Sequence, residues 1–281
     1  MRLDVTLVVL LAAVLHAVWN ALVKAVPDQL AAFALLGLTS FLASAVAVPF
    51  VAAPAAASRG FLALSVALHV GYELFLMGSY RAGDLSQVYP LARGSAPLLV
   101  AGAATVVADE RLGPAQLAGV ALVSVGLASL AAGKGRPDRR ERRALLLALA
   151  TGACIAAYTI SDGLGARRSG TPLGYVVWLS LGYGPVIAAY AVLARRRRFL
   201  AAARRRWRVG ALAGLCSMLA YGLVLWAQTQ GALAAVAALR ESSVVIAAVL
   251  GTLVLHEPFG RLRVVASALV AAGIVALNLP G

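Results

Sequence analysis

"LARGSAPLLVAGAATVVADERLGPAQLAGVALVSVG", residues 91–126, lies without a gap over "ALRESSVVIAAVLGTLVLHEPFGRLRVVASALVAAG", residues 238–273. At a constant offset of 147 residues, Arg93 meets Arg240, Ser95 meets Ser242, Glu110 meets Glu257, Gly113 meets Gly260 and Gly126 meets Gly273. Arginine on arginine, glutamate on glutamate and glycine on glycine in one register mark an internal duplication. Each copy also carries an arginine inside an apolar run. A charge at that depth in lipid costs several kcal/mol without a partner or water, so Arg93 and Arg240 are functional candidates from the outset.

The surrounding residues identify the solvent. Of 281 residues, 62% are hydrophobic and 13% charged, roughly half the charged share of about 25% in a soluble domain. Mean hydropathy is +0.88. Apolar stretches of roughly 20 residues, enough to cross a hydrocarbon core of about 30 Å, follow one another along the chain. This composition predicts an integral membrane protein. Ten spans are expected, near 4–26, 30–52, 60–81, 87–107, 114–132, 144–165, 171–193, 209–231, 233–256 and 259–279. Local breaks separate them: Pro27-Asp28, Pro54, Asp84, Gly113-Pro114, Ser169-Gly170-Thr171-Pro172 and Gly260. Helices fit these lengths; barrel strands would be about 10 residues long and alternate in polarity. The opening "MRLDVTLVVLLAAVLHA" has the look of a signal peptide, but its apolar run continues unbroken to Val26, which predicts a retained transmembrane helix.

The polar interval "GKGRPDRRERR", 133–143, divides the spans five and five, giving repeats at 4–132 and 144–281. An odd number of spans per half forces the halves into opposite orientations. That is the inverted-repeat plan of secondary transporters, whose solute sites lie near the midplane between the repeats. The net charge of +14 raises nucleic acid as a partner. Yet its main concentrations fall between apolar spans, where topology explains them better. Lys24, Arg81, the six basic residues of 134–143, the eight of 195–208, and Arg261 and Arg263 share one side. Only Arg2, Arg59, Arg111, Arg167 and Arg168 share the other. Both termini are therefore expected on the non-cytoplasmic side of a plasma (inner) membrane, with no nucleic acid bound. The arginine runs of 195–208 also suit anionic membrane lipid. Cys154 and Cys216 lie in apolar segments, and no metal-ligand spacing occurs.

Several motifs together resemble the EamA family of the drug/metabolite transporter (DMT) superfamily. They are "HAVWNALVK" at 16–24, "YPLARGSAPLL" at 89–99, "ADERLGPAQLAGVALVSVGL" at 108–127 and "LHEPFGRLRVVASALVAAGIVAL" at 255–277. The resemblance covers the whole chain as two EamA units. It implies an all-α integral membrane carrier of ten transmembrane helices in two inverted five-helix repeats, with a central cavity for a small metabolite. Family substrates range over amino acids, sugars, nucleotide sugars, purines and drugs. The superfamily's small multidrug members use a glutamate in the first helix for proton–drug exchange; here that helix offers His16 and Asn20.

Candidate site residues follow from polarity inside the spans. Arg93 and Arg240 could hold a carboxylate or phosphonate in bidentate fashion, or could be structural, paired with helix carbonyls, Glu73 or Glu241. Glu73, mid-span in "HVGYELFLMGSY", and Glu241 are the proton-coupling candidates. About 100° of helix separates Glu241 from Arg240, which predicts that the two do not share a face. Trp19, Asn20, Tyr89, Tyr158, Tyr221 and Trp226 are candidates for solute contact or gating, with Trp19 and Tyr158 as the leading pair. Asp162 reads as an end-of-helix acid near Arg167 and Arg168. Glu110 and Glu257 read as turn-stabilising residues, and the "LGYGP" of 181–185 as a potential break in the seventh span.

His16, His69 and His256 form no HExxH spacing, and neither a nucleophile elbow nor a phosphate loop is present. Neither an enzyme nor a cofactor is expected. The expected function is a carrier exporting an amino acid or other anionic or zwitterionic solute, with protons as the candidate coupling ion. The alternative is a drug or dye efflux carrier.

Overall fold

In the computed structural model residues 2–24, 26–83, 85–130, 138–246 and 261–279 are described, and every regular element among them is helical. The helices are α1 (Leu3–Lys24), α2 (Gln29–Ala47), α3 (Arg59–Ala82), α4 (Leu85–Val107), α5 (Pro114–Ser129), α6 (Arg139–Ser169), α7 (Pro172–Gln230), α8 (Leu233–Arg240) and α9 (Arg261–Asn278). Six helices among the described residues are long and apolar enough to cross a membrane, while α5 and residues 264–278 form shorter apolar helices.

Local chemistry sets the boundaries where the punctuation predicts them. Asp28 caps α2 by accepting from the Ala31 amide. Thr171 caps α7 through the Gly174 amide, ahead of Pro172 at the first helical position. Gly170 ends α6 in the left-handed conformation, φ 70°, which glycine adopts without strain. Asp138 and Glu141 form a reciprocal capping box that opens α6. The basic interval 133–143 is consequently helical from Arg139 onward. The seventh and eighth spans form one 59-residue run, α7, interrupted only at Arg195 (φ −149°, ψ 45°). Its break thus falls among the arginines and not at 181–185, where Pro185 is accommodated within the helix. The segment 195–208 is otherwise helix, not loop.

The polarity is that of a molecule in lipid. On α1, Leu3, Leu7, Leu11 and Val14 are exposed on one stripe, while Val5, Val9, Ala12 and Ala13 are buried. By contrast Glu73, Arg93, Asp162, Arg240 and Glu241 all lie inside. Apolar atoms outside and charges within suit a bilayer, where polar side chains face the bundle interior. The protein is an integral membrane protein. Small residues let its helices approach closely: Gly37 of α2 lies against Gly184 of α7, and Gly119 of α5 against Gly273 of α9. Gly210 and Gly214 of "GALAG" face Leu35 and Thr39 of α2.

Candidate functional site

The helices leave a cavity between them, with α1, α2, α3, α4, α6, α7 and α8 all contributing to its wall. It offers about 70 Å³ to the centre of a water-sized molecule, where one water needs roughly 10–15 Å³. Its polar lining is His16, Trp19, His69, Tyr72, Glu73, Arg93, Tyr158, Tyr183, Ser217, Tyr221 and Arg240. Periodicity accounts for the placement of α3's contribution: His69, Tyr72 and Glu73 recur at three- and four-residue spacing and share one face.

Arg93 and Arg240, matched by the sequence repeat, both reach this cavity. Behind them lies Glu241, fully buried. Arg93 Nε stands 2.8 Å from Glu241 Oε2, and Arg240 Nη2 stands 3.7 Å from Oε1. Arg240 lines the cavity and Glu241 does not, and their long side chains nonetheless bend to within ion-pair distance of each other. α8 ends at Arg240, and Glu241 sits in a turn, with its amide on the Ala238 and Leu239 carbonyls. Its φ of −67° and ψ of −11° are still right-handed helical, so side-chain reach and not a change of backbone direction makes the contact. The Arg93–Glu241 contact is charge on charge, without an aligned hydrogen bond. Among the described residues Arg93 Nη2 and Arg240 Nε have no hydrogen-bond partner. These donors are buried and unsatisfied.

Glu73 supplies an acidic group on the same wall. It is buried on the cavity wall, and its Oε2 has no hydrogen-bond partner among the described residues. Around it stand aromatic faces: Tyr72 packs edge-on against Tyr158, and His16 edge-on against Trp19. Trp19, Tyr158 and Tyr221 thus line the cavity, as do both arginines and Glu73. Asn20, Tyr89 and Trp226 are not part of its lining. Asn20 Nδ2 donates to the His16 carbonyl one turn back, and Trp226 is exposed on the outside of the bundle.

Two acids are placed differently from their sequence reading. Asp162 is fully buried, accepting from Tyr175 Oη at 3.0 Å and from Tyr221 Oη, with His69 Nε2 4.0 Å away. It is an interior acid, because one turn of helix lies between it and the exposed arginine end of α6. Glu110 reaches beyond its own turn: Oε1 pairs with Arg167 at 2.8 Å and Oε2 accepts from the Leu233 amide at 2.7 Å. Arg167 in turn donates to the Gln228 and Gly231 carbonyls. Glu257 lies outside the described residues. His69 and Tyr183 complete a wall that no single motif announced, although His69 shares with Tyr72 the helical face that presents Glu73. Among the described residues no group of three His, Cys, Asp or Glu could hold a metal.

Residues 142–279 match the EamA-like transporter family. No curated protein matches the chain. Twenty-eight chains of solved structures do. One of them, described simply as the crystal structure of a protein, has a TM-score of 0.77 at 16% sequence identity, over 99% of this chain and 97% of its own. At that identity the likeness shows a shared fold alone.

Proposed function

The chain belongs to the EamA-like transporter family, and on that premise we propose that it exports a small zwitterionic or anionic metabolite, an amino acid or related organic acid, across the inner membrane. The carrying observation is the two-sided cavity: guanidinium donors of Arg93 and Arg240 without partners, and the Glu73 carboxylate with a free oxygen, in one aromatic-lined space. A carboxylate would sit against the arginines. An ammonium group would sit against Glu73 and the faces of Tyr72, Tyr158 or Trp19, where cation–π attraction adds to the ionic contact.

Two inverted five-helix repeats give this site its alternating access. The offset of 147 that relates Arg93 to Arg240 also relates Gly37 to Gly184, and these two glycines touch each other. It relates Gly119 to Ala266 and Gly126 to Gly273, and the observed contacts cross over: Gly119 with Gly273, Gly126 with Ala266. Reciprocal contacts of this kind support a pseudo-two-fold axis through the α2–α7 and α5–α9 packings. Glu73, the carboxylate with a free oxygen, is the proton-coupling candidate at the solute, while Glu241 supplies the fixed counter-charge.

The test is solute-induced thermal stabilisation of the purified protein, because a ligand bound to the folded state alone raises apparent stability. Amino acids, organic acids, phosphonates, nucleosides and cationic dyes form the panel, beside Arg240→Ala. Stabilisation of the wild type by an anionic or zwitterionic solute, lost in the variant, is expected. Equal stabilisation of both proteins by dyes would instead support drug efflux and reduce the arginine to architecture.

A further inference from the structure

A second ionisable cluster opens on the cavity wall. His69 of α3 lies between the rings of Tyr158 and Tyr183, with centroids 4.2 and 4.8 Å away. Its Nδ1 is 3.0 Å from the Ser65 carbonyl and 3.2 Å from the Ser65 hydroxyl. A carbonyl can only accept, so Nδ1 carries the hydrogen and donates it there. The carbonyl contact is the shorter of the two, and the Ser65 hydroxyl can turn its own lone pair toward the same Nδ1 hydrogen. With Nδ1 protonated, the neutral ring presents a bare lone pair at Nε2. That nitrogen faces Asp162 Oδ2, 4.0 Å away and also an acceptor. Two acceptors turned toward each other in a buried site leave room for one proton.

We propose that His69 and Asp162 form a one-proton site on the cavity wall, in which a proton taken up on His69 Nε2 gives an imidazolium balanced by the Asp162 carboxylate. Tyr175 and Tyr221 hold the carboxylate from its other sides. Tyr221 also lines the cavity and packs edge-on against both His69 and Tyr158. Loading or unloading this proton therefore changes the charge of a wall that the solute faces. The ionisable groups around it are Glu73 and Tyr72 on α3 itself, Tyr158 on α6, Tyr175, Tyr183 and Tyr221 on α7, and, across the cavity, Arg93, Arg240 and His16. Arg93 and Arg240 are balanced in part by Glu241, which leaves Asp162 as the carboxylate that faces His69. The use of this proton in transport rests on the carrier reading above; the site itself does not.

The test separates the two. The full chain, with His16→Asn and His256→Gln leaving His69 as the single histidine, is reconstituted in lipid and labelled with ring-¹⁵N histidine. Infrared difference spectra are recorded between about pH 5 and 8, the interval in which an imidazole changes charge. Isotope-sensitive imidazole bands are expected together with a shift of a carboxylate stretch; the imidazole bands are expected to vanish in Asp162→Asn, and the carboxylate shift in His69→Gln. Absence of an imidazole signal in the parent protein overturns the proposal without recourse to any variant. Persistence of the imidazole bands in Asp162→Asn also overturns it, because the imidazolium would then need no carboxylate partner. Flux of a labelled mixture of the twenty protein amino acids into vesicles containing a pH dye is then measured separately. Absence of that flux counts against the transport reading alone.

Discussion

Arg93, Glu241 and Arg240 bring two guanidinium groups onto one carboxylate inside a membrane. Removing that carboxylate is the costly change, because two buried cations would then face each other uncompensated. Glu241→Gln is expected to destabilise the protein by about 3–5 kcal/mol, read as a fall in unfolding temperature in detergent. Arg93→Ala and Arg240→Ala are expected each to abolish solute flux in reconstituted vesicles. Normal flux by both variants would remove the arginines from the mechanism. Loss of flux with ligand-induced stabilisation intact would assign them to gating instead.

At the scale of helices, the α2–α7 approach depends on having no side chain at Gly37 and Gly184. A Cβ on Gly37 would stand 2.5 Å from the Gly184 carbonyl oxygen, and one on Gly184 would stand 2.7 Å from that of Gly37. Both obstacles are backbone, which cannot rotate out of the way. Gly37→Ala and Gly184→Ala are each expected to cost about 1–3 kcal/mol, with the double variant costing less than the sum, since both relieve the same contact by the same separation. Additive losses in unfolding temperature would show that the two helices do not move apart as a unit. Gly102, with open space where its Cβ would lie, is the control; Gly102→Ala is expected to leave stability within about 0.5 kcal/mol of wild type.

For the molecule as a whole, the Glu110–Arg167 clamp joins the α4–α5 turn to the end of α6 and to the α7–α8 turn. Glu110 also satisfies the Leu233 amide at the start of α8, a donor that helix geometry leaves without an internal partner. Glu110→Ala is expected to speed hydrogen exchange at the amides near Leu233 and to leave the centres of α2 and α3 unchanged. Uniformly faster exchange would mean a global loss of stability in place of local opening. Orientation is tested at the other end, where the arginines flank the break in α7. A cysteine introduced as Arg197→Cys, in a background lacking Cys154 and Cys216, is expected to react with a membrane-impermeant maleimide in inside-out vesicles only. Labelling from the outer face would reverse the topology.

The membrane environment, the helical class, the duplicated arginines and most helix ends were legible along the chain. They rest on local quantities: runs of apolar residues, capping side chains, and identity at one offset. The arrangement of charges was not, because pairing inside a bundle joins residues far apart in sequence. Arg93 and Glu241 come from α4 and from the turn after α8, and no periodicity within either segment encodes their contact. Asp162 read as an end-of-helix acid because Arg167 and Arg168 are close in sequence; in the fold, Tyr175, Tyr221 and His69 surround it. The break at Arg195 likewise depends on how the two arms of α7 pack against the other helices, not on the glycines and proline of 181–185. Apolar length and capping act over a few residues, so sequence alone reveals them. The partner of a buried charge is selected by burial, since desolvation forbids leaving it unbalanced, and only the packed helices determine which opposite charge lies within reach.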